Sequence, residues 1–297
     1  MTTAPDPSPI PNESAAARGR LQRKAGHVLY LAVVVLVYVY LLTPLVIVVL
    51  ASVNAGEFLT FPPQGFSLRW YVAFFESEAF MGSLFFSLRV AFFATIISTA
   101  LGVTVALYVV RFAGRWRERL RLFILLPLLL PEILTAIALL FFYYNAEALL
   151  RTLGIEVASG VFRNSVLGLL IGHVLITLPF VFLGISASLY NFDHSLEEAA
   201  RSLGASRLTT FRRVTLPIIK PGIIAGALLA FIISFDLFNI SLLLKGIGVA
   251  TLPIQLFDYV RWEYDPTAAA VATVSIVITV IAILVTEKLV GLRSLRF

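Results

Sequence analysis

Residues 28–53 read VLYLAVVVLVYVYLLTPLVIVVLASV, and no charged side chain interrupts them. A helix needs about 20 mainly apolar residues to cross a hydrocarbon core roughly 30 Å thick, so this stretch predicts a membrane-spanning helix. Five further apolar runs of similar length follow along the chain, at about 84–110, 122–144, 166–190, 218–244 and 267–290. Six spans therefore account for most of the sequence.

The composition leads to the same conclusion. Of the 297 residues, 59% are hydrophobic and only 13% are Asp, Glu, Lys or Arg, whereas soluble domains carry about 25% charged residues. The apolar runs are also far longer than the roughly ten residues of a barrel strand. Because a helix satisfies its own backbone hydrogen bonds in lipid, we expect an all-α fold, a polytopic transmembrane helical bundle.

The basic residues predict how the bundle is oriented. Seventeen of the 23 Lys and Arg lie in the two termini and in every second connection, against five in the alternate connections. By the positive-inside rule, both termini face the cytoplasm. The net charge of +6 is thus a topology signal, and we expect membrane lipid and no nucleic acid as a partner.

The first 27 residues differ from the rest of the chain. They contain four prolines among Ser and Ala and show no apolar periodicity, which predicts a disordered cytoplasmic tail over 1–27 and a six-span domain over 28–297. The first apolar run exceeds the 7–15 residues of a signal peptide, so a retained anchor is expected.

Metal and thiol chemistry have little support in the sequence. The chain has no cysteine and only three histidines, His27, His173 and His194, at wide separations. We therefore expect no metal site and no bound cofactor, and we interpret His173 as a hydrogen-bonded packing residue.

The connection between the fourth and fifth spans, residues 191–217, has a helical pattern of its own. Ser195 and Glu198 have the spacing of a capping box, Glu197 stands four residues before Arg201, and Gly204 suits a helix end. The apolar positions form one stripe, at Leu196, Ala199, Ala200 and Leu203. The pattern predicts a short amphipathic helix.

A second short helix is expected directly after the first one. Ser206 suits its N-terminal cap, and Pro217 is expected to separate it from the fifth span. The two helices together predict a compact elbow against the membrane. A plain interfacial amphipathic helix is the alternative interpretation.

The residues of this connection also match a known pattern. Glu198-Ala199-Ala200, three residues, Gly204, nine residues and then Val214-Thr215-Leu216-Pro217 resembles the EAA loop of ABC-importer permeases. That loop has Glu-Ala-Ala, three residues, Gly, nine residues and Ile-x-Leu-Pro. Val214 stands where Ile is usual.

Segments elsewhere extend the resemblance to spermidine/putrescine-type permeases. They are residues 61–71 (FPPQGFSLRWY), Ser234-Phe235-Asp236, Thr251-Leu252-Pro253, and Pro127 with Pro131. Leu237 stands where that family commonly has a second acid, and relatives in this branch carry iron, opines and other small solutes.

The resemblance implies the fold and function of a type I ABC-importer permease in the bacterial inner membrane. It implies a second homologous permease, two cytoplasmic ATPase subunits that hold ATP-Mg, and an extracytoplasmic solute-binding protein. Glu198, Ala199, Ala200, Gly204, Leu216 and Pro217 would form the segment that couples to the ATPases. None of the four lysines follows a glycine, so the chain has no P-loop and is not expected to be an enzyme.

Charged residues within spans are functional candidates by default. Glu132 and Asp236, with Asn239 on the face expected to hold Asp236, are candidates for the solute pathway. The structural alternative is that Asp236 pairs with Arg89 and that Glu132 bonds to backbone groups freed by Pro131.

Other interpretations of the whole chain remain open at this point. An ion-coupled secondary carrier would use Glu132, His173 and Asp236 as a relay, and a scaffolding subunit would use none of them. Gly222, Gly226 and Ala230 recur every four residues, which indicates close helix packing either within the bundle or against a second permease.

Overall fold

The structure, a computed structural model, describes residues 13–155, 160–246 and 248–290. Regular structure in these ranges is helical. The first six helices are α1 (Glu13–Ser52), α2 (Arg69–Glu76), α3 (Glu78–Arg111), α4 (Arg117–Leu129), α5 (Glu132–Thr152) and α6 (Val166–Tyr190). The other six are α7 (Ser195–Ser202), α8 (Arg207–Thr210), α9 (Leu216–Phe235), α10 (Phe238–Leu244), α11 (Leu252–Val260) and α12 (Thr267–Val290).

Two short turns of other helix types complete this architecture. A 3₁₀ turn, Gly114–Trp116, leads into α4, and a π turn, Phe211–Thr215, joins α8 to α9. Six helices of the described chain are long and apolar enough to cross a membrane, which confirms the predicted number of spans.

The third span begins later than its apolar run predicts. The expected helix over 122–144 is broken at Leu130 and Pro131, and the spanning helix α5 runs from Glu132 to Thr152. Pro131 lacks an amide hydrogen and forces the residue before it out of the helical region. Leu130 accordingly has an extended backbone, with φ −88° and ψ 144°.

The fifth span, expected to be one helix over 218–244, is also interrupted. Helix α9 ends at Phe235, Leu237 is extended with φ −69° and ψ 97°, and α10 begins at Phe238. No proline marks this break, and the apolar run extends on both sides of it, so the sequence pattern does not predict it. The side chain that contacts both sides of the break belongs to α6.

The first helix begins earlier than expected. Helix α1 starts at Glu13, so residues 13–27, expected to be part of a disordered tail, are helical, while residues 1–12 lie outside the described part of the chain. Ala15-Ala16-Ala17 and the Leu, Gln, Arg and Lys that follow are good helix formers, and the chain has no stop signal before the span. Helix α1 packs on α12.

Helices α3, α6 and α9 pack together as the centre of the bundle. Glycines on both sides bring α6 and α9 close: a Cβ at Gly184 would lie 2.7 Å from the carbonyl oxygen of Gly222, and a Cβ at Gly226 would lie 2.8 Å from Cα of Val181. Ala230 is fully buried in the same cluster. The small-residue stripe of α9 therefore packs within the bundle.

The bundle has two distinct ends, and helix α3 connects them. Arg111 at its last turn contacts α7, so we name that side the elbow end. Ser87 in its first half accepts a hydrogen bond from the amide of Leu252 at the start of α11. The side that carries α2 and α11 is named the loop end.

The close approach of α6 and α9 predicts a sensitive glycine. Gly184→Ala places a methyl group 2.7 Å from a backbone oxygen, and overpacking of this kind costs typically 1–3 kcal/mol. We expect a clear fall in the thermal unfolding midpoint of the purified protein in detergent.

Gly82→Ala is the matched control for this substitution. It also places a methyl group on a long helix, but the added Cβ has no neighbour within 4 Å. An equal loss of stability in both variants would contradict the packing assigned to Gly184.

Candidate functional site

The elbow consists of α7, a bend at Gly204, α8 and the π turn. The expected capping box is not formed: the side-chain bond at the start of α7 comes from Asp193, whose Oδ1 accepts from the Ser195 amide at 2.9 Å. The amide of Glu198 bonds instead to the carbonyl of His194 at 3.3 Å. Because the helix begins two residues after Asp193, Ser195 lies inside the first turn and is not its cap.

The bend and the second helix follow the predicted pattern. Gly204 has φ +85° and follows the last turn of α7, a conformation that side-chain-bearing residues rarely adopt. The Ser206 hydroxyl caps α8 by accepting from the amide of Thr209 at 3.2 Å.

Pro217 does not separate α8 from the fifth span. The chain stays helical from Arg207 to Phe235, because the π turn at Phe211–Thr215 joins α8 to α9 and places Pro217 in the first turn of α9.

One face of α7 points away from the bundle. Glu198 and Ala199 are exposed, Ala200 is half-buried, and Leu203 at the bend is 89% exposed. The predicted apolar stripe is therefore a free surface in this chain rather than a face packed on its neighbours.

Glu197 occupies the opposite face and is buried. Its carboxylate accepts a hydrogen bond from Nη2 of Arg111 at 2.8 Å and another from the hydroxyl of Thr215. The expected pairing with Arg201 is not formed, since Glu197 turns toward the end of α3. Burial alone would raise the pKa of the Glu197 carboxyl, but the bonds from Thr215 and Arg111 outweigh it and hold the pKa below its usual value.

These bonds join three elements that are far apart in sequence. Arg111 ends α3, Glu197 belongs to α7, and Thr215 closes the π turn before α9. The elbow is thus attached to the central helix α3 through one carboxylate, which also binds the π turn that leads into α9. The sequence offered no signal for this contact, because Arg111 and Glu197 lie 86 residues apart.

The break in the fifth span is organised by His173 of α6. Its Nδ1 lies 2.8 Å from Oγ of Ser234 and its Nε2 lies 3.0 Å from Oγ of Ser241. The two serines belong to α9 and α10, so the buried imidazole connects both sides of the break. This geometry agrees with the interpretation of His173 as a hydrogen-bonded packing residue.

Glu132 and Asn239 lie together in the structure. The Asn239 amide donates to Oε2 of Glu132 at 2.9 Å, while Oε1 of Glu132 is buried with no hydrogen-bond partner in the described chain. The alternative that Glu132 bonds to backbone groups near Pro131 is not observed. A buried carboxylate oxygen without a donor needs an explanation, because the large majority of buried polar atoms have a partner.

Asp236 lies apart from this pair. It lines a cavity of about 460 Å³ with residues of α1, α11 and α12, and among the described residues it makes no ion pair with Arg89. The expected common face of Asp236 and Asn239 is wrong, because the helix is interrupted at Leu237 between them.

A second and larger cavity opens at the loop end. Its volume is about 800 Å³, and it lies between the first half of α3, the end of α10 and the connection that follows α10. The polar side chains that line it are Glu78, Ser83, Arg89, Asn164, Lys245 and Gln255. We name this cavity the vestibule.

The described chain is a six-span helical bundle with an interrupted fifth span, two cavities and an exposed elbow at one end, an architecture expected of a membrane permease. Residues 98–290 match the family described as binding-protein-dependent transport system inner membrane component. The chain belongs to this family, and it is an inner-membrane permease of the ABC-importer type. Its homologues are permease subunits rather than enzymes, since separate ATPase subunits hydrolyse ATP.

Individual relatives agree with this assignment. The chain is 33% identical over 261 residues to the spermidine/putrescine transport system permease protein PotC of Haemophilus influenzae, covering 87% of this chain and 94% of that protein. It is 34% identical over 244 residues to the putrescine transport system permease protein PotI of Escherichia coli K12, covering 82% and 84%.

A solved structure shows the same fold. A chain of a bacterial ABC transporter involved in the import of the acidic polysaccharide alginate aligns with a TM-score of 0.74 at 16% identity. The alignment covers 94% of this chain and all of that chain. At this identity the likeness concerns the fold alone.

The buried carboxylate of the elbow gives a testable prediction. Glu197→Ala leaves Arg111 and Thr215 without their acceptor, and an unsatisfied buried polar group costs about 1–3 kcal/mol. We expect faster amide hydrogen exchange across residues 195–215 and a lower unfolding midpoint, with the matched variant Glu198→Ala unchanged in both because Glu198 is exposed. Equal behaviour of the two variants would contradict the attachment.

The same interaction predicts a pH dependence. The pKa of Glu197 is lowered in the folded protein. The stability that its carboxylate contributes is therefore fully present above the unfolded pKa of about 4.3, and it is lost as the pH falls through the folded pKa. After correction for the intrinsic pH dependence of amide exchange, the protection of residues 195–215 should fall more in the wild type than in Glu197→Ala as the pH is lowered from 7 to about 3.

Proposed function

We propose that this chain moves a small solute across the bacterial inner membrane by alternating access, driven by ATPase subunits that dock on the elbow. The observation that carries the proposal is the elbow itself. Its outer face is exposed, and Glu197 on its inner face bonds to Arg111 of α3 and to Thr215 of the π turn that continues into α9. A segment built in this way transmits a push from a docked partner into the bundle.

The six residues of the predicted coupling segment each have a role in this proposal. Ala199 and Ala200 permit close approach of the ATPase, and Glu198 is free to pair with a basic residue of it. Gly204 sets the bend that presents Leu203. Leu216 and Pro217 form the first turn of α9, where the motion enters the fifth span.

The elbow end is cytoplasmic in this proposal. The excess of Lys and Arg in alternate connections supports this orientation, which also places both termini in the cytoplasm. The assembly contains a second homologous permease, two ATPase subunits that hold ATP-Mg, and a solute-binding protein at the loop end. This chain itself binds no cofactor.

The pathway is proposed to pass the Glu132–Asn239 pair. Charges within a span are retained where they serve a route or a partner, and Oε1 of Glu132 has no hydrogen-bond partner among the described residues. Asp236 is a second candidate because its carboxylate is exposed to a cavity. The permeases named for spermidine and putrescine support a solute that carries an ammonium group.

An ion-coupled carrier is the competing function, and the buried imidazole counts against it. His173 is enclosed between Ser234 and Ser241 with no exposed surface, whereas a relay needs contact with the pathway. Uptake by such a carrier would persist without ATPase subunits.

Coupling is tested at Gly204. Gly204→Asp imposes a side chain at φ +85° and adds an anion to the docking surface. We expect normal insertion, with ATP-dependent uptake per folded transporter reduced at least tenfold in the reconstituted complex. Gly154→Asp is the control for an added anion at a left-handed position, because Gly154 has φ +75° and an added Cβ there meets no atom within 4 Å. Normal uptake by Gly204→Asp would contradict the proposal.

The pathway is tested by neutral substitutions of nearly equal size. Glu132→Gln keeps the bond to Asn239 possible but removes the charge, so we expect uptake per folded transporter to fall about tenfold while expression is retained. Asp236→Asn is measured beside it. A variant whose uptake per folded transporter is unchanged excludes that carboxylate from the pathway.

A further inference from the structure

The turn between α3 and α4 is strongly basic. Residues 111–121 contain five arginines and one acid, Glu118, which lies 4.0 Å from Arg121. The elbow, which contacts this turn through Arg111, contributes four arginines and three acids over residues 191–217. Helix α6, which packs on α4, has no acidic residue. The positive charge of the turn therefore stays in excess.

The arginines of this turn differ in what they contact. Arg117 donates to the carbonyl of Val110 at 2.6 Å and so satisfies a backbone group at the end of α3. Arg115 and Arg119 are exposed, and neither has an ion-pair partner within 4 Å in the described chain. Their guanidinium carbons lie 5.9 Å and 5.0 Å from the centre of the Trp116 ring. Two unpaired guanidinium groups are thus held beside one indole ring.

The exposed surface of α4 becomes apolar directly after Arg119. Residues at helical spacing from Arg119 share its side of the helix, and those that follow it there are leucine and phenylalanine side chains, 44% to 73% exposed. From Arg119 to Leu129 the helix rises about 15 Å, which is half of a hydrocarbon core of roughly 30 Å. We name this surface the α4 face; it consists of Arg115, Trp116, Arg119, Leu122, Phe123, Leu126 and Leu129.

We propose that the α4 face is a binding site for an anionic phospholipid. Arg115 and Arg119 receive the phosphate group, since a guanidinium binds phosphate oxygens through charge-assisted hydrogen bonds. The acyl chains lie along the apolar residues of the face, whose length matches one leaflet. Trp116 lies between the two parts, at the level of the membrane interface where tryptophan is enriched.

The two parts of the α4 face together select this ligand. A water-soluble subunit could pair with the arginines, but the apolar part belongs to the run predicted to enter the membrane at about residue 122 and is exposed along its length. A zwitterionic lipid would bring its own ammonium group close to the guanidinium groups. An anionic headgroup lacks that repulsion, and basic clusters at a membrane surface favour it.

The site is tested in the assembled transporter, reconstituted in phosphatidylcholine nanodiscs. Each preparation receives the same small fraction of either phosphatidylglycerol or phosphatidylcholine that carries a diazirine in one acyl chain. After illumination, mass spectrometry of this chain gives the labelled fraction of residues 112–129. Because the label is located on a peptide, lipid bound elsewhere in the complex does not contribute to it.

We expect phosphatidylglycerol to label this segment about tenfold more than phosphatidylcholine does, because two exposed arginines both favour the anionic headgroup. Changing Arg115 and Arg119 together to Gln should lower the label from phosphatidylglycerol to the level of phosphatidylcholine. Changing both to Lys keeps the charge and should keep most of the label. Arg261→Gln is the second control, because this exposed arginine also lies beside an aromatic ring, 5.6 Å from that of Phe257, but at the loop end; it should leave the labelling unchanged.

Equal labelling by the two lipids, or labelling that survives the loss of both arginines, would overturn the proposal. Absence of label from both lipids would overturn it as well, since another subunit would then cover the α4 face. An equal loss in the Gln and Lys variants would show that charge does not hold the lipid, with the same consequence. The measurement uses neither ATP nor solute, so its outcome is independent of the coupling tested at Gly204 and of the pathway tested at Glu132.

Discussion

In the hydrocarbon of a membrane, a backbone amide or carbonyl must find its hydrogen-bond partner inside the protein. The interruption of the fifth span is possible under this constraint because polar side chains of the bundle surround it. The hydroxyl of Ser241 donates to the carbonyl of Leu237 at 2.5 Å, and His173 contacts this serine and Ser234 on the other side of the break. The glycine contact between α6 and α9 holds the two helices at the distance this arrangement needs.

The carboxylates of the bundle differ in how fully they are satisfied. Glu197 is paired with Arg111, and Glu147 is paired with Arg163 at 2.8 Å while it also accepts bonds from the backbone amides of Gly160, Phe162 and Arg163. These two carboxylates organise the elbow and a connection. Oε1 of Glu132 lacks such a partner in the described chain, which is why Glu132 carries a functional proposal.

Much of the architecture could be predicted from the sequence. Most of the parts that could not be predicted depend on contacts between elements that are distant in sequence. Six spans, the bend at Gly204 and the cap at Ser206 depend on local composition and spacing, and the structure has all of them. The pairing of Glu197 and the common face of Asp236 and Asn239 depend on contacts between distant elements, whereas the capping box at Ser195 fails locally because Asp193 bonds to the Ser195 amide. A helical wheel assumes an unbroken helix, so it fails where tertiary hydrogen bonds allow the chain to leave the helix at Leu237.

The continuous helical run from Arg207 to Phe235 has a mechanical consequence. Its 29 residues form a rod about 43 Å long, and Gly222 lies close to its midpoint, in contact with α6. The rod continues past this contact to the interruption at Asp236, so the residues that close the elbow and those that border the break belong to one helical element. A flexible joint before Pro217 would separate the two, whereas the π turn keeps them connected.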